Sequence, residues 1–403
     1  MSTQALPVPD IPQSTDELTP AWLTQTLQAG GFLDGVRVVG AEPEILGEGE
    51  GFVGQIVRLR LSFDGPAPGA PESLIAKMPI GLEQNRNLGE ALGAYDREIR
   101  FYTELADRVP IAKPVCFYAA MDPNPLAGRE QELLDFLDRL PRWLVRVLFP
   151  LGLWLASKNR RRYLLLLEDL APARRLGNQV AGCTREEAAA VLRHVAAVHL
   201  AWWEHPDLET LAWAPPVNIL SRYVEVMYRK GRKQFHGFGG DLSPTFWAFA
   251  DWLREGGTPV MRQLGVPPFT LLHGDYRLDN MFFEGEGADA RITVFDWQTV
   301  SRGPAALDVA YFICGNLSED VAAECADELL QEYHQRLCDG GVRGYDFDTF
   351  VRDYRTALLF IAYRMITGID MLDFSNERGM ALIRGWLQRI DALLKDDFAE
   401  LVG

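Results

Sequence analysis

The sequence is short of cysteine, of histidine and of positive charge. Among 403 residues there are five cysteines (Cys116, Cys183, Cys314, Cys325 and Cys338), and no two form a C-x-x-C pair. An odd and scattered set indicates neither a disulfide framework nor a zinc site, and fits a reducing compartment. Lys and Arg number 40 against 56 Asp and Glu, a net charge of −16. Binding nucleic acid needs clustered positive charge to neutralise phosphates, so no nucleic-acid partner is expected. No run of 18 or more apolar residues occurs, so no spanning helix is expected. The N-terminus, MSTQALPVPDIPQSTDEL, lacks the basic-then-apolar pattern of a signal peptide. The expected location is cytoplasmic.

What is present is an ordinary globular balance, 48% hydrophobic and 24% charged. The length suggests roughly two or three folded units. Residues 1–18 read as a loose arm, followed by a helix that starts at Thr19-Pro20, with Thr as N-cap and Pro at the first helical position. From Val36 to Ile80 the period changes to two. Val57, Leu59, Leu61 and Phe63 alternate with Arg58, Arg60 and Ser62, a half-buried strand, and Leu74–Lys77 begins another. Apolar residues from Leu88 to Leu105 recur at steps of three and four, which predicts a helix over about 87–108. Val115–Ala119 and the wholly apolar Tyr163–Leu167 are further strands, the latter interior. Beyond Leu170 the pattern is mostly helical. Thr184-Arg-Glu-Glu187 is a capping box opening a helix through Trp203. The expected organisation is α+β, with an arm and helix over 1–35, a small antiparallel-sheet lobe over 36–169 and a larger, mainly helical lobe over 170–403.

Three groups of residues carry candidate chemistry. Gly49-Glu-Gly51-Phe-Val-Gly54 is a G-x-G-x-x-G followed by a strand, not by the helix that a dinucleotide fold requires. A glycine hairpin between strands can cover nucleotide phosphates, because a Cβ would hold the backbone N–H groups away from phosphate oxygens. A plain glycine turn is the alternative. Lys77 ends a strand about 23 residues later, where a point charge can hold nucleotide phosphates; a solvated lysine is the alternative. Glu98, on the next helix beside Ile99, is the best placed partner for Lys77, ahead of Glu90 and Glu104.

The strongest signal is His273-Gly-Asp275-Tyr-Arg-Leu-Asp-Asn280, followed by Phe295-Asp296-Trp-Gln298. Phosphoryl transfer needs a carboxylate to orient the acceptor hydroxyl and oxygen ligands for Mg²⁺. Asp275 suits the first task, Asn280 and Asp296 the second. Taken singly, each could be a turn residue capping its own backbone. As an ordered set with the glycine loop, Lys77 and Glu98, chance explains them poorly.

With these motifs, the sequence resembles the protein-kinase-like small-molecule phosphotransferases: the aminoglycoside phosphotransferases, the choline kinases and, closest, the ecdysteroid-kinase-like group. HGDYRLDN (273–280), VFDWQ (294–298), GPAALDVAYF (303–312), LLLLEDL (164–170), LIAKMP (74–79), REIRFYTEL (97–105) and AAVHLAWW (196–203) carry the resemblance. It implies a two-lobed protein-kinase-like fold that uses ATP and Mg²⁺ to phosphorylate a hydroxyl of a small organic molecule. Asp275 would be the catalytic base, Asn280 and Asp296 the Mg²⁺ ligands, and Lys77 with Glu98 the phosphate-holding pair. His273 would support the loop, Asp308 would be structural, and backbone near Leu167, Glu168 and Asp169 would meet adenine. Trp-Gln after Asp296, where a protein kinase has Phe-Gly, and the lack of an Ala-Pro-Glu segment argue against a protein kinase. A nucleotide-binding regulator that does not turn over is the competing class, although every catalytic position is filled; a membrane-surface kinase of a lipid-like alcohol is the third reading.

Some features stand outside that pattern. His199 reads as a core or capping histidine. Asp370, Asp373 and Glu377 cluster where members of the resembled families build their acceptor pocket, and could bind a cationic substrate or be simply solvated. The apolar insert over about 121–162 holds Trp143–Ala156, which Pro150 and Gly152 should break as a helix. It could pack on the small lobe, cover an apolar acceptor, or touch a membrane surface through its flanking arginines; packing is the commoner fate and membrane contact is not favoured.

Overall fold

The computed structural model describes the chain except residues 1–9, 47–53, 80–85, 87–88, 91–92, 125–127, 157–159, 172, 237–239, 370–376 and 403. Gly49, Gly51, Asp370 and Asp373 therefore lie outside the described residues. The chain divides into two compact units: Met1–Asp107 with Lys113–Ala127 and Leu151–Ala173, and Arg108–Ala112 with Gly128–Pro150 and Arg174–Gly403.

The first unit is built on an antiparallel five-stranded sheet of order β1-β2-β3-β5-β4. The strands are β1 (Val38–Leu46), β2 (Gly54–Phe63), β3 (Ser73–Pro79), β4 (Cys116–Met121) and β5 (Tyr163–Glu168). The alternation in β2 is realised: Val57 and Leu59 are fully buried while Arg58 and Arg60 take the other face. The apolar run of β5 is interior, paired to β3 on one side and β4 on the other. Helix α1 (Pro20–Ala29) starts as expected, the Thr19 hydroxyl accepting from Trp22 N at 3.2 Å. It sets Leu23 and Leu27 against Val57, Leu74, Leu164 and Leu166, which form the core of this unit. Gly54 opens β2 opposite Pro79, and Lys77 sits between Ile56 and Leu165 in the ladder. Within the helix expected over 87–108, the described residues form α2 (Ala94–Arg100), which widens into a π turn (Phe101–Leu105) and then tightens into a 3₁₀ turn (Ala106–Arg108). Ile99, Phe101 and Leu105 still face inward.

The second unit is mainly helical. Its helices are α3 (Glu130–Arg139), α4 (Arg142–Ala156, which runs past the unit boundary), α5 (Arg185–Ala201), α6 (Ser221–Phe235), α7 (Pro244–Gln263), α8 (Ala306–Asn316), α9 (Glu319–Asp339), α10 (Phe347–Gly368) and α11 (Glu377–Leu393). The capping box forms, with Glu187 N donating to the Thr184 hydroxyl and Thr184 N to the Glu187 carboxylate. Two small antiparallel sheets carry the functional loops. One pairs β7 (Thr270–Leu272) with β10 (Ser301–Gly303); the other has the order β6 (Arg175–Leu176), β8 (Met281–Glu284), β9 (Arg291–Val294).

The sequence expectation for Trp143–Ala156 is corrected. One continuous helix runs through Pro150. Proline removes one i→i−4 bond, here to the carbonyl of Arg146. Both Pro150 and Arg146 are exposed, so water can take the freed carbonyl. The insert's helices pack on α6. The Asp138 carboxylate accepts from Ser221 N at 3.1 Å and Arg222 N at 3.0 Å. Phe149 stacks on Tyr223 with ring centroids 3.6 Å apart.

Candidate active site

In the second unit, β7 delivers the chain to His273, and the turn that follows is held from three sides. The Asp308 carboxylate, fully buried in the first turn of α8, accepts from His273 N at 2.8 Å and Gly274 N at 2.9 Å. A carboxylate there is also favoured by the helix dipole. The Thr299 hydroxyl donates to the His273 carbonyl at 2.9 Å. Gly274 has φ +81°, and a Cβ on it would lie 2.4 Å from the Thr299 carbonyl oxygen, so glycine is required twice over.

The His273 ring braces the same turn. Its Nδ1 accepts from Asp275 N at 3.3 Å, which leaves Nε2 to donate to the Phe295 carbonyl at 3.0 Å. That pattern fixes one neutral tautomer. Both ring nitrogens are thus engaged by backbone groups of the turn and of the strand end beside it.

Three donors meet the Asp275 carboxylate. Tyr311 Oη donates to Oδ1 at 2.6 Å; Arg277 Nε at 3.1 Å and Asn280 Nδ2 at 2.9 Å donate to Oδ2. Burial pushes this carboxyl up, but the Arg277 charge and the Tyr311 hydroxyl outweigh it and hold it below the ordinary carboxylate value. Burial alone would lower Arg277, yet the carboxylates of Asp275, Asp279 and Asp296 raise it further. A carboxylate offers about four lone-pair positions. Three are taken here by the described residues, which leaves one.

Asn280 is 3% exposed and its Nδ2 also donates to the Asp275 carbonyl at 2.9 Å. Its Oδ1 accepts no hydrogen bond among the described residues, a hard oxygen left over in a polar loop. Hairpin pairing of β8 with β9 brings the two metal-ligand candidates alongside: Phe295 N, next to Asp296, donates to the Asn280 carbonyl at 3.1 Å. Asp296 has a left-handed backbone, φ +67°, and its Oδ2 accepts from Gln298 Nε2 at 3.1 Å. Left-handed residues other than glycine are uncommon and gather at functional turns. Among the described residues, no three His, Cys, Asp or Glu are grouped to hold a metal on their own. Mg²⁺ does not need three, since phosphates and waters complete its shell. An amide oxygen and a carboxylate oxygen are the right donor chemistry.

In the first unit, Lys77 Nζ lies 2.6 Å from Glu98 Oε1, with the two side chains 16% and 8% exposed. Of the competitors, Glu90 pairs with Arg86 at 3.3 Å and Glu104 faces solvent. Leu167 is buried between β3 and β4. Glu168 Oε2 accepts from Val115 N at 3.1 Å. The Asp169 carboxylate is occupied elsewhere: it accepts from Arg58 Nε at 2.6 Å and the Ser73 hydroxyl at 2.7 Å, tying β2 and β3 to the end of β5.

Sequence alone assigns no role to Arg277 or Tyr311, although both touch Asp275. A signal existed for Tyr311. It lies three residues after Asp308, so a helix that turns Asp308 toward the loop turns Tyr311 toward it as well.

The loop, its clamp and its paired oxygen donors all lie within one stretch of the second unit. Residues 217–341, which contain all of them, match the model of the Ecdysteroid kinase-like family. The matched family is one of the groups that the sequence resembles, and the match covers less than a third of the chain. Among solved structures, the chain is similar to a choline/ethanolamine kinase family protein from Mesorhizobium loti (13% identity over 96% of this chain and 97% of that one, TM-score 0.46). It is also similar to a macrolide 2′-phosphotransferase from Brachybacterium faecium (14%, 90% and 97%, TM-score 0.43). A third is the GDP complex of aminoglycoside 2′-phosphotransferase-IIIa (12%, 88% and 94%, TM-score 0.48). Comparison with curated proteins finds no match.

Proposed function

We propose that this chain is an ATP- and Mg²⁺-dependent phosphotransferase that moves the γ-phosphate onto a hydroxyl of a small organic molecule. The observation that carries the reading is the Asp275 carboxylate, held ionised by three donors with one acceptor position to spare. Asp275 accepts the hydrogen bond of the acceptor alcohol, aims its oxygen for in-line attack and takes its proton as the P–O bond forms. The γ-phosphate leaves ADP as that bond is made. Arg277, beside Asp275, offsets negative charge where the phosphoryl group is transferred. Asn280 Oδ1 and the Asp296 carboxylate hold Mg²⁺, which when bound neutralises phosphate charge. Lys77, steadied by Glu98, binds nucleotide phosphates, with Gly49, Gly51 and Gly54 as the covering glycines and backbone near Leu167–Asp169 meeting adenine.

The test is a screen of alcohols, including aminoglycosides, choline, sterols and macrolides, for phosphorylated product with ATP and Mg²⁺. Product is expected with at least one class, and Asp275→Asn should lower its turnover by about 10²–10⁴. Full activity in Asp275→Asn would remove the mechanism. ATP binding without turnover of any acceptor would favour the regulator.

A further inference from the structure

The loop around Asp275 is gripped in two halves. Asp308 and Thr299 hold residues 273–275; a second group holds residues 277–281. Leu278 N donates to Oδ1 of the buried Asn316 at 2.8 Å. Gly177 N donates to the Met281 carbonyl at 2.9 Å. A Cβ on Gly177 would lie 2.3 Å from the Leu278 carbonyl oxygen, so only glycine lets the chain after β6 come this close. Two residues on, Gln179 N donates to Asp279 Oδ1 at 2.8 Å. All of these residues belong to the second unit.

The side chain of Gln179 is buried in this contact, the residue being 1% exposed. Its Nε2 donates to the Gly315 carbonyl at 3.0 Å, and its Oε1 accepts from Arg277 Nη1 at 3.4 Å. A carbonyl on one side and a guanidinium on the other fix which way the amide points. The Gly315 carbonyl has a second donor, Arg389 Nη2 at 2.8 Å, and so does not depend on Gln179. What the amide alone supplies, among the described residues, is an acceptor for Arg277 Nη1. Arg277 Nε meanwhile donates to Asp275 Oδ2 at 3.1 Å. A guanidinium is planar, so two anchored nitrogens set the direction of the third. That third nitrogen, Nη2, makes no hydrogen bond among the described residues, and the arginine side chain is 29% exposed.

We propose that Gln179 is a positioning residue: its amide oxygen pins Arg277 so that Nη2 is offered in one fixed direction to incoming negative charge. Gln179 stands 98 residues before Arg277 in the chain and acts only through it. That the incoming charge is the transferred phosphoryl group rests on the function proposed above. Without the amide oxygen, Arg277 keeps its bond to Asp275 and turns about it. The positive charge stays in place, but its preorganisation is lost.

The experiment is NMR relaxation of the full-length chain labelled with ¹⁵N-arginine, the Arg277 side-chain signal being identified by its loss in Arg277→Lys. In the wild type the Arg277 Nε–H is expected to be as rigid as the loop backbone. Gln179→Met fills a similar volume and leaves Gly315 with Arg389, and the Arg277 signal should become mobile. Gln179→Glu keeps an oxygen facing Arg277 and should keep it rigid. Under the proposed function, Gln179→Met lowers kcat and kcat/KM together by about tenfold, and this loss vanishes in an Arg277→Met background. A mobile Arg277 in the wild type overturns the proposal, and that measurement needs no change at Gln179. So does an Arg277 that stays rigid in Gln179→Met or is mobile in Gln179→Glu, or a kinetic loss that persists undiminished without Arg277. A wild type that phosphorylates no acceptor, yet whose Arg277 is loosened by Gln179→Met, removes the function and keeps the positioning.

Discussion

Tyr311 Oη donates to Asp275 Oδ1 at 2.6 Å, and Tyr311 stands one helical turn from Asp308, whose carboxylate clamps the backbone of the same loop. One face of α8 thus sets both the shape of the loop and the charge state of its carboxylate. Burial raises the Tyr311 phenol far above its usual value, and Asp275 raises it further, so it remains a donor at any working pH.

Tyr311→Phe tests this directly. Asp275 loses a donor that favours its ionised form, so its pKa rises. The Asp275 carboxyl lies below its ordinary value in the wild type; stability linked to it is present above the unfolded pKa and is lost as pH falls through the folded value. In the variant that loss moves to higher pH, and under the proposed function the acid limb of kcat/KM moves with it. An acid limb that stays in place would separate Tyr311 from Asp275.

Lys77→Met removes the ammonium that lies 2.6 Å from Glu98 Oε1, whose side chain is 8% exposed. Breaking a buried pair in this way is expected to cost about 3 kcal/mol in urea denaturation. Glu98→Gln keeps a hydrogen-bond acceptor for Lys77 and should cost less. Under the proposed function, Lys77→Met also lowers turnover by about 10² or more, while Glu98→Gln falls between it and the wild type.

Gly274→Ala places a methyl against the Thr299 carbonyl at a positive φ. The backbone preference and the clash together predict a loss of about 2–4 kcal/mol. Thermal denaturation measures it. Gly285→Ala, with φ +83° and nothing within 4 Å of the added carbon, carries the backbone term alone and should cost about 1–2 kcal/mol.

Asp169→Asn removes the charge that Arg58 meets at 2.6 Å with only 2% of the aspartate side chain exposed. Arg58 is 17% exposed and keeps some contact with water and with Glu44. The expected loss is therefore moderate, about 2 kcal/mol. Because Ser73 shares this carboxylate, Ser73→Ala and Asp169→Asn should be non-additive in a double-mutant cycle.

Parts of the fold are legible in the sequence for identifiable reasons. The alternation of β2 shows because one face meets a core and the other does not. The run Tyr163–Leu167 shows because a strand paired on both sides buries both faces. Lys77 and Glu98 are legible as a pair since Glu98 sits beside Ile99 on an inward helix face. Other features depend on contacts distant in sequence or on solvent. Nothing local tells that Asp169 is taken by Arg58, 111 residues earlier. The helix through Pro150 defeats the usual rule because its freed carbonyl faces water. Arg277 as a partner of Asp275 requires knowing that the loop folds back on itself.

Asp308 lies 33 residues after Asp275, and its two backbone bonds have a consequence for portability. A fragment cut just after Gly303 would contain every residue of HGDYRLDN and VFDWQ. Yet it would strip the amides of His273 and Gly274 of their acceptor and lose the phenol as well. The smallest transplantable piece is accordingly not the hairpin but the hairpin together with the helix Ala306–Asn316.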